Sequence, residues 1–408
     1  MLKQSIFIFM MLLTVMSSTQ AERNYKFDGE MSEKVLRNYL SRSATFGELL
    51  NRTRVENELG GNTADNIRML VNTGNKFAGR AIYMWGNETR IDSLLKVGET
   101  VAQQVHEADP DVILQAAAFE IVSTNVNQIP IPAWVFEDFG LESQARTFNY
   151  NKMLYPDGHR VDQWYQGASV PDMSQRETRL WFYFLAASYI RIGCEAIHFG
   201  QVEIMDDREP HHVGWLEMLN RVRAFAKQHA RRQFVLCDAH VPSGGIVEDG
   251  KLLFDFHSFP LRIEEVAGRP QQGILQVGHI DSFYGRSKGG VTPSGWPCEH
   301  LPYLAEVDNF GGSGREGQNT HDAFIWGYDE IVWFANQPKS YRDVWLRYAW
   351  HWLRHTDPAG YLQMPLSRVL YRGVDGRNWY WANRPSEAVP GGFDQEATIK
   401  SIWDLDRS

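Results

Sequence analysis

Residues 112–119 read Val-Ile-Leu-Gln-Ala-Ala-Ala-Phe, apolar at all but one position, and Glu120 ends the run. The period-two alternation of a strand wetted on one face is missing, and the run is far shorter than a bilayer span. It predicts a strand buried on both faces, as found in parallel sheets covered by helices. The rest of the chain repeats this unit. Strands are expected at 77–85, 112–119, 196–204, 234–238, 252–256, 274–278, 302–307 and 360–364. Helices are expected between most of them. Asn62-Thr63 caps one that carries Ile67, Leu70 and Val71 and closes at Gly74. Residues 90–109 place Ile91, Leu94, Leu95, Val101 and Val105 at helical spacing. Ser174-x-x-Glu177 reads as a capping box opening a helix through Ile192, 213–229 is amphipathic, and 341–355 is a strongly aromatic helix. Eight strands in such alternation predict a closed (β/α)8 barrel of the TIM type. A doubly wound open sheet is the competitor, but no glycine-rich phosphate turn follows the first strand.

The first residues read as an address. Met1-Leu2-Lys3 is a short basic start, residues 6–15 are apolar, and Ser17-Ser18-Thr19-Gln20-Ala21 is a small-residue end. A signal peptide over 1–21, cut after Ala21, is expected, with the periplasm or the cell exterior as destination. Residues 22–408 then form one barrel domain, with an extension from about 371 to 408 packed back on it. The balance of 41 basic and 50 acidic residues, net −9, argues against a nucleic-acid partner. No apolar run after the address is long enough for membrane insertion. Oligomeric state is not legible. Cys194 and Cys237 are expected at opposite ends of neighbouring strands, out of disulfide reach, and Cys298 has no evident mate.

Three long excursions (121–173, 284–300 and the glycine-rich 309–322) leave the carboxyl ends of strands, the face where a barrel builds its site. Acidic and imidazole groups gather at the same ends: Glu120, Glu203, Asp238, His257, His279, Asp281, Glu306 and Asp308. An acid at the tip of an apolar strand is costly unless it is paired or faces a cleft. Glu203, in Phe199-Gly-Gln201-Val-Glu203, and Glu306, in Tyr303-Leu-Ala-Glu306-Val-Asp308, stand out as a pair of strand-end carboxyls. Cleaving a glycosidic bond needs one carboxylic acid to protonate the leaving oxygen and one carboxylate to attack carbon or activate water. The chain has 14 Trp, 16 Tyr and 22 Phe, enough rings for some to offer flat faces to sugar C–H groups. Trp85, Trp164, Tyr303 and Trp326 are the candidates, with Glu120, Gln201, Asp238, His257 and Asp308 around the acids.

With its export signal, eight-unit pattern and the pair Glu203/Glu306, the chain resembles exported bacterial glycoside hydrolases of the barrel type. The resemblance implies a cofactor-free enzyme acting on a polysaccharide or oligosaccharide, with Glu203 as acid/base and Glu306 as nucleophile. There is one departure. The large retaining clan carries its acid/base after the fourth strand, usually as Asn-Glu, whereas Gln201-Val202-Glu203 ends the third strand counted here. Two alternatives have different chemistry. His257, His279 and Asp238, with Asp281 and His240 nearby, form the donor set of a metal-dependent barrel hydrolase, although the His-x-His expected of such enzymes on the first strand reads Tyr83-Met-Trp85. A non-catalytic glycan-binding barrel is the other. No Gly-x-Ser-x-Gly elbow is present, and His211-His212 reads as a helix start.

Overall fold

A computed structural model describes residues 23–269, 271–309 and 329–406; the expected signal peptide, Trp326 and nearly all of the glycine-rich excursion lie outside them. Eight parallel strands form a closed ring. They are β1 (Ser43–Phe46), β2 (Phe77–Met84), β3 (Ile113–Ala118) and β4 (Ala196–Gln201). Then follow β5 (Leu236–His240), β6 (Phe256–Pro260), β7 (Tyr303–Glu306) and β8 (Gly360–Val374). Ala44 opposite Met364 and Thr45 opposite Pro365 close the ring. The fold is the expected (β/α)8 barrel.

The strand count needs two corrections. Ser43–Phe46 is the first barrel strand, and nothing in Ser-Ala-Thr-Phe, four residues with alternating polarity, marks it as buried on both faces. The strand expected at 274–278 is no part of the barrel: Gly273–Leu275 pairs antiparallel with Ile263–Glu265 in a separate hairpin. The strand expected at 252–256 begins where that segment ends, because Lys251–Leu252 joins a small side sheet and the barrel strand is Phe256–Pro260. Glu203 therefore follows the fourth barrel strand, and Glu306 stays on the seventh.

Helix α1 (Glu33–Leu40) lies across one end of the ring, and around it lie α2 (Thr63–Thr73), α3 (Ile91–Ala108) and α4 (Arg176–Arg191). They are followed by α5 (Val213–His229), α6 (Glu330–Asn336), α7 (Lys339–Thr356) and α8 (Glu396–Leu405). Helix α2 follows its sequence cues closely: the Asn62 side chain accepts from Asp65 N, and Gly74 caps the other end at φ +77°. The capping box at Ser174 is not formed. Helix α4 starts at Arg176 because Glu177 turns instead to Arg146 (2.6 and 2.9 Å) and to the amide of Asn149 (2.9 Å).

Inside the ring the layers differ. At the amino-terminal end Val35, Leu36, Tyr39 and Leu40 of α1 plug the barrel against Phe77, Ile113, Ala196, Leu236, Phe256 and Leu304. Phe77 and Phe256 meet with centroids 5.6 Å apart although β2 and β6 are not neighbours, so this contact crosses the lumen. One layer higher the lumen turns polar, with Gln115, His198, Asp238 and Ser258 joined by hydrogen bonds. An apolar floor beneath a polar layer leaves one end of the barrel for chemistry.

The tail after β8 continues as β9 (Arg377–Trp381), antiparallel to β8, and α8, whose Glu396 accepts from Arg68 of α2 (2.7 and 2.8 Å). Trp381 donates to the carbonyl of Leu59 (2.9 Å) and lies over Gly61, where a Cβ would stand 2.5 Å from the indole. A rigid buried ring cannot yield that space. Gly61→Ala is expected to lower stability by about 1–3 kcal/mol, read from the denaturation midpoint, as overpacked sites do.

Candidate active site

The parity of each strand decides which side chains reach the mouth. On β7, Leu304 belongs to the floor and Glu306 faces the lumen, so Tyr303 faces outward. It is fully buried, donates to Asp357 Oδ2 (2.9 Å) and packs on Phe283 at 4.9 Å. Tyr303 is therefore a wall residue and not a sugar platform. On β6, Phe256 and Ser258 face inward, so His257 between them also faces outward. It is buried beside Phe254 and Phe283, with neither ring nitrogen in ordinary hydrogen-bond geometry. His279 sits 3.8 Å from Glu264 in the excursion after β6. Asp238 is sealed inside the barrel. The donor set of the metal alternative is thus not brought together, and no group of three His, Cys, Asp or Glu side chains among the described residues forms a metal site. Cys194, Cys237 and Cys298 are free thiols.

Glu306 lies at the mouth in a tight ionic cluster. Its Oε2 accepts from Thr45 Oγ1 (2.9 Å) and lies 3.2 Å from Arg368 Nη1, while its Oε1 accepts from Arg80 Nη2. Asp308 joins the cluster through Arg368 and lies 3.7 Å from Arg80. Burial favours a neutral Asp308, but Arg368, Arg80 and Arg262 outweigh it and hold its carboxyl below the usual range. Glu306 is 1% exposed, and its partners come from β1, β2 and β8. The two arginines were not legible. Arg80 reaches the lumen through a bulge between Ala78 and Ile82, where it adopts φ +56°. Arg368 lies far along an extended β8.

Glu203 and Glu120 occupy the opposite wall. Gly200, at φ +65°, ends the run of β4, and Val202–Met205 continues as a 3-10 turn that carries Glu203. The amide of Ser243 points at both Glu203 oxygens, 3.3 and 3.4 Å away, and the side chain is half-buried. Glu120 accepts from Gln201 N (2.8 Å) and Gln201 Nε2 (2.9 Å). A Cβ at Gly200 would stand 1.9 Å from Glu120 Oε2, so glycine makes room for this carboxylate. Trp164 Nε1 donates to the Glu120 carbonyl (2.9 Å). Trp85 is 43% exposed, with centroids 5.1 Å from Trp164 and 5.5 Å from Phe119, and forms an aromatic ledge beside Glu120. Glu203 and Glu306 thus lie at the carboxyl ends of two strands of one ring, and no hydrogen bond or ion pair joins them.

No family model matches the chain, and no curated protein matches it. Solved structures that resemble it include the native debranching enzyme of Nostoc punctiforme. Their TM-score is 0.31, with 11% identity over 54% of this chain and 49% of that one. A GH27 β-L-arabinopyranosidase of Geobacillus stearothermophilus has a TM-score of 0.29 and 10% identity over 50% of this chain and 49% of that one. The chain matches about half the length of each.

The imidazoles beside the mouth set an acid limit. Burial pushes His257 down to about 3, and burial with the Arg262 charge pushes His240 down to about 4. Both fold as neutral rings but bind protons more readily once unfolded. Their contribution to stability is therefore complete above about pH 6.5 and is lost as pH falls toward 4 and then 3. In that window each adds a slope of up to about 1.4 kcal/mol per pH unit. His257→Phe is expected to flatten the acid limb of a stability–pH curve. An unchanged limb would show that His257 protonates without cost.

Proposed function

We propose that this protein is a glycoside hydrolase in which Glu203 protonates the leaving oxygen and Glu306 attacks or stabilises the anomeric carbon. The single observation that carries the reading is the placement of two carboxyls on strands four and seven of one barrel mouth, with only one of them caged by arginines. Two guanidiniums suit a carboxylate that must act as an anion, and the acid role falls to the carboxyl outside the cage. Strand four is also where the resembling clan carries its acid/base, although Val202 stands where that clan usually has Asn. The ledge of Trp85 and Trp164 supplies an apolar face for a sugar ring, and Glu120 with Gln201 supplies hydroxyl partners.

One observation favours a second reading, a barrel that binds glycans without cleaving them. Both Glu306 oxygens are already engaged, and the residue is 1% exposed. Turnover on a panel of aryl glycosides and oligosaccharides separates the two readings. Under the first, Glu203→Gln and Glu306→Gln each lower turnover by about 10²–10⁴-fold. Glu306→Gln also loses stability, because removing one member of a buried ionic cluster costs about 3–5 kcal/mol. Sugar binding by a wild-type protein that turns over nothing on the panel favours the second. We also propose export, from the address over residues 1–21. Recovery of a mature chain beginning at Glu22 from the periplasm or medium is the expected result, and an intact Met1 there would overturn it.

A further inference from the structure

The sealed Asp238 acquires a purpose through its neighbours. Its carboxylate accepts from Gln115 Nε2 (2.6 Å), His198 Nδ1 (2.8 Å) and Ser258 Oγ (2.7 Å), and the Asp238 side chain is completely buried. A carboxylate can only accept, so the Nδ1 of His198 carries a proton and Nε2 points away from Asp238. Nε2 makes no hydrogen bond to any described residue. The imidazole keeps 3% of its side-chain surface exposed. Above it on the same face of β4 stands Gly200, without a side chain, and beside it on β3 is Ala117. Phe119 lies 5.9 Å from the ring, and the Glu120 carboxylate, held by Gln201, occupies the space that Gly200 leaves on the same face. Apolar residues would fill a barrel lumen at less cost than this polar layer, so its presence needs a reason beyond packing.

We propose that His198, oriented by Asp238, makes a hydrogen bond through Nε2 to a hydroxyl of the bound sugar at the floor of the mouth. This rests on the glycosidase reading above and adds a residue that contacts substrate. Asp238 is a positioning residue that acts through it. The amide of Asn superposes on the Nδ1 side of a histidine ring, so His198→Asn keeps a donor for Asp238 and deletes only the Nε2 side.

The test uses aryl glycosides cleaved by the wild type and their analogues lacking one ring hydroxyl. For the wild type, loss of one particular hydroxyl is expected to lower kcat/KM about tenfold or more, as for a site built to bond it. His198→Asn should lose the same factor on the parent glycoside, show no further loss on that analogue, and keep the wild-type penalties at the other positions. A structural defect would penalise every analogue alike. Parent turnover unchanged in His198→Asn, or penalties that add at every position, would overturn the proposal. Loss of activity in Glu306→Gln would leave the glycosidase reading standing in that case. Should the wild type cleave nothing, or the variant fail to fold, the Cε1–H signal of His198 in the wild-type protein is followed while the same glycosides are added. A shift with at least one sugar supports the contact, and no shift with any overturns it.

Discussion

The ionic cluster of Glu306, Asp308, Arg80 and Arg368 decides how the barrel mouth is built. Two guanidiniums face two carboxylates, so the cluster is neutral as a unit although its members are largely buried. With Thr45 included, it ties β1, β2, β7 and β8 together, and these four strands include the seam where the ring closes. Hydrogen bonds between strands would close the ring without it. What the cluster adds is one arrangement of charge at that seam, since a slip of β7 and β8 against β1 and β2 would separate Glu306 from Thr45 and Arg80 and leave charge buried and unpaired. Buried ion pairs are poor stabilisers compared with apolar packing, but breaking one is expensive. The cluster therefore fixes geometry more than it adds stability.

The fold was far more legible than the site. The near-continuous apolar run at 112–119 marks a buried strand, and the helix capped by Asn62 and closed by Gly74 announces its limits. What failed was local. Ser43–Phe46 is too short and too polar in sequence to resemble its partners, because its lumen-facing Ser43 and Thr45 serve the polar interior. Ile274 does lie on a strand, but that strand is half of a hairpin outside the barrel, with Ile274 on its exposed face. For the site, the carboxyls at strand ends were visible because an acid after an apolar run is conspicuous. Their partners were not. Arg80 reaches Glu306 only through a bulge, for which Gly79 inside the strand is the one cue in the sequence, and that cue does not say which side chain turns inward. His198 did leave a trace, an ionisable residue in step with Gly200 on one face of a buried strand. That trace is weighed correctly only when the inward face is known.

Strand parity also explains why some aromatic and imidazole candidates failed together. Tyr303 and His257 sit one residue away from lumen-facing Leu304 and Ser258, and that single step carries each to the outer wall. Trp85 and Trp164 escape this constraint, since both lie past the ends of strands, where loops set direction.

The contrast between the two polar centres bears on their roles. Around Glu306 every charge is met by an opposite charge, and the arginines leave the carboxylate little freedom. Around Asp238 the partners are two neutral donors and an imidazole whose far nitrogen is left without a described partner. The first arrangement has spent its hydrogen-bonding capacity within the protein. The second leaves the Nε2 of an imidazole without a described partner, with the ring aligned by a buried carboxylate. An imidazole so aligned above an apolar floor is where the proposed contact with a ligand's hydroxyl falls, on the same wall as Glu120 and Glu203.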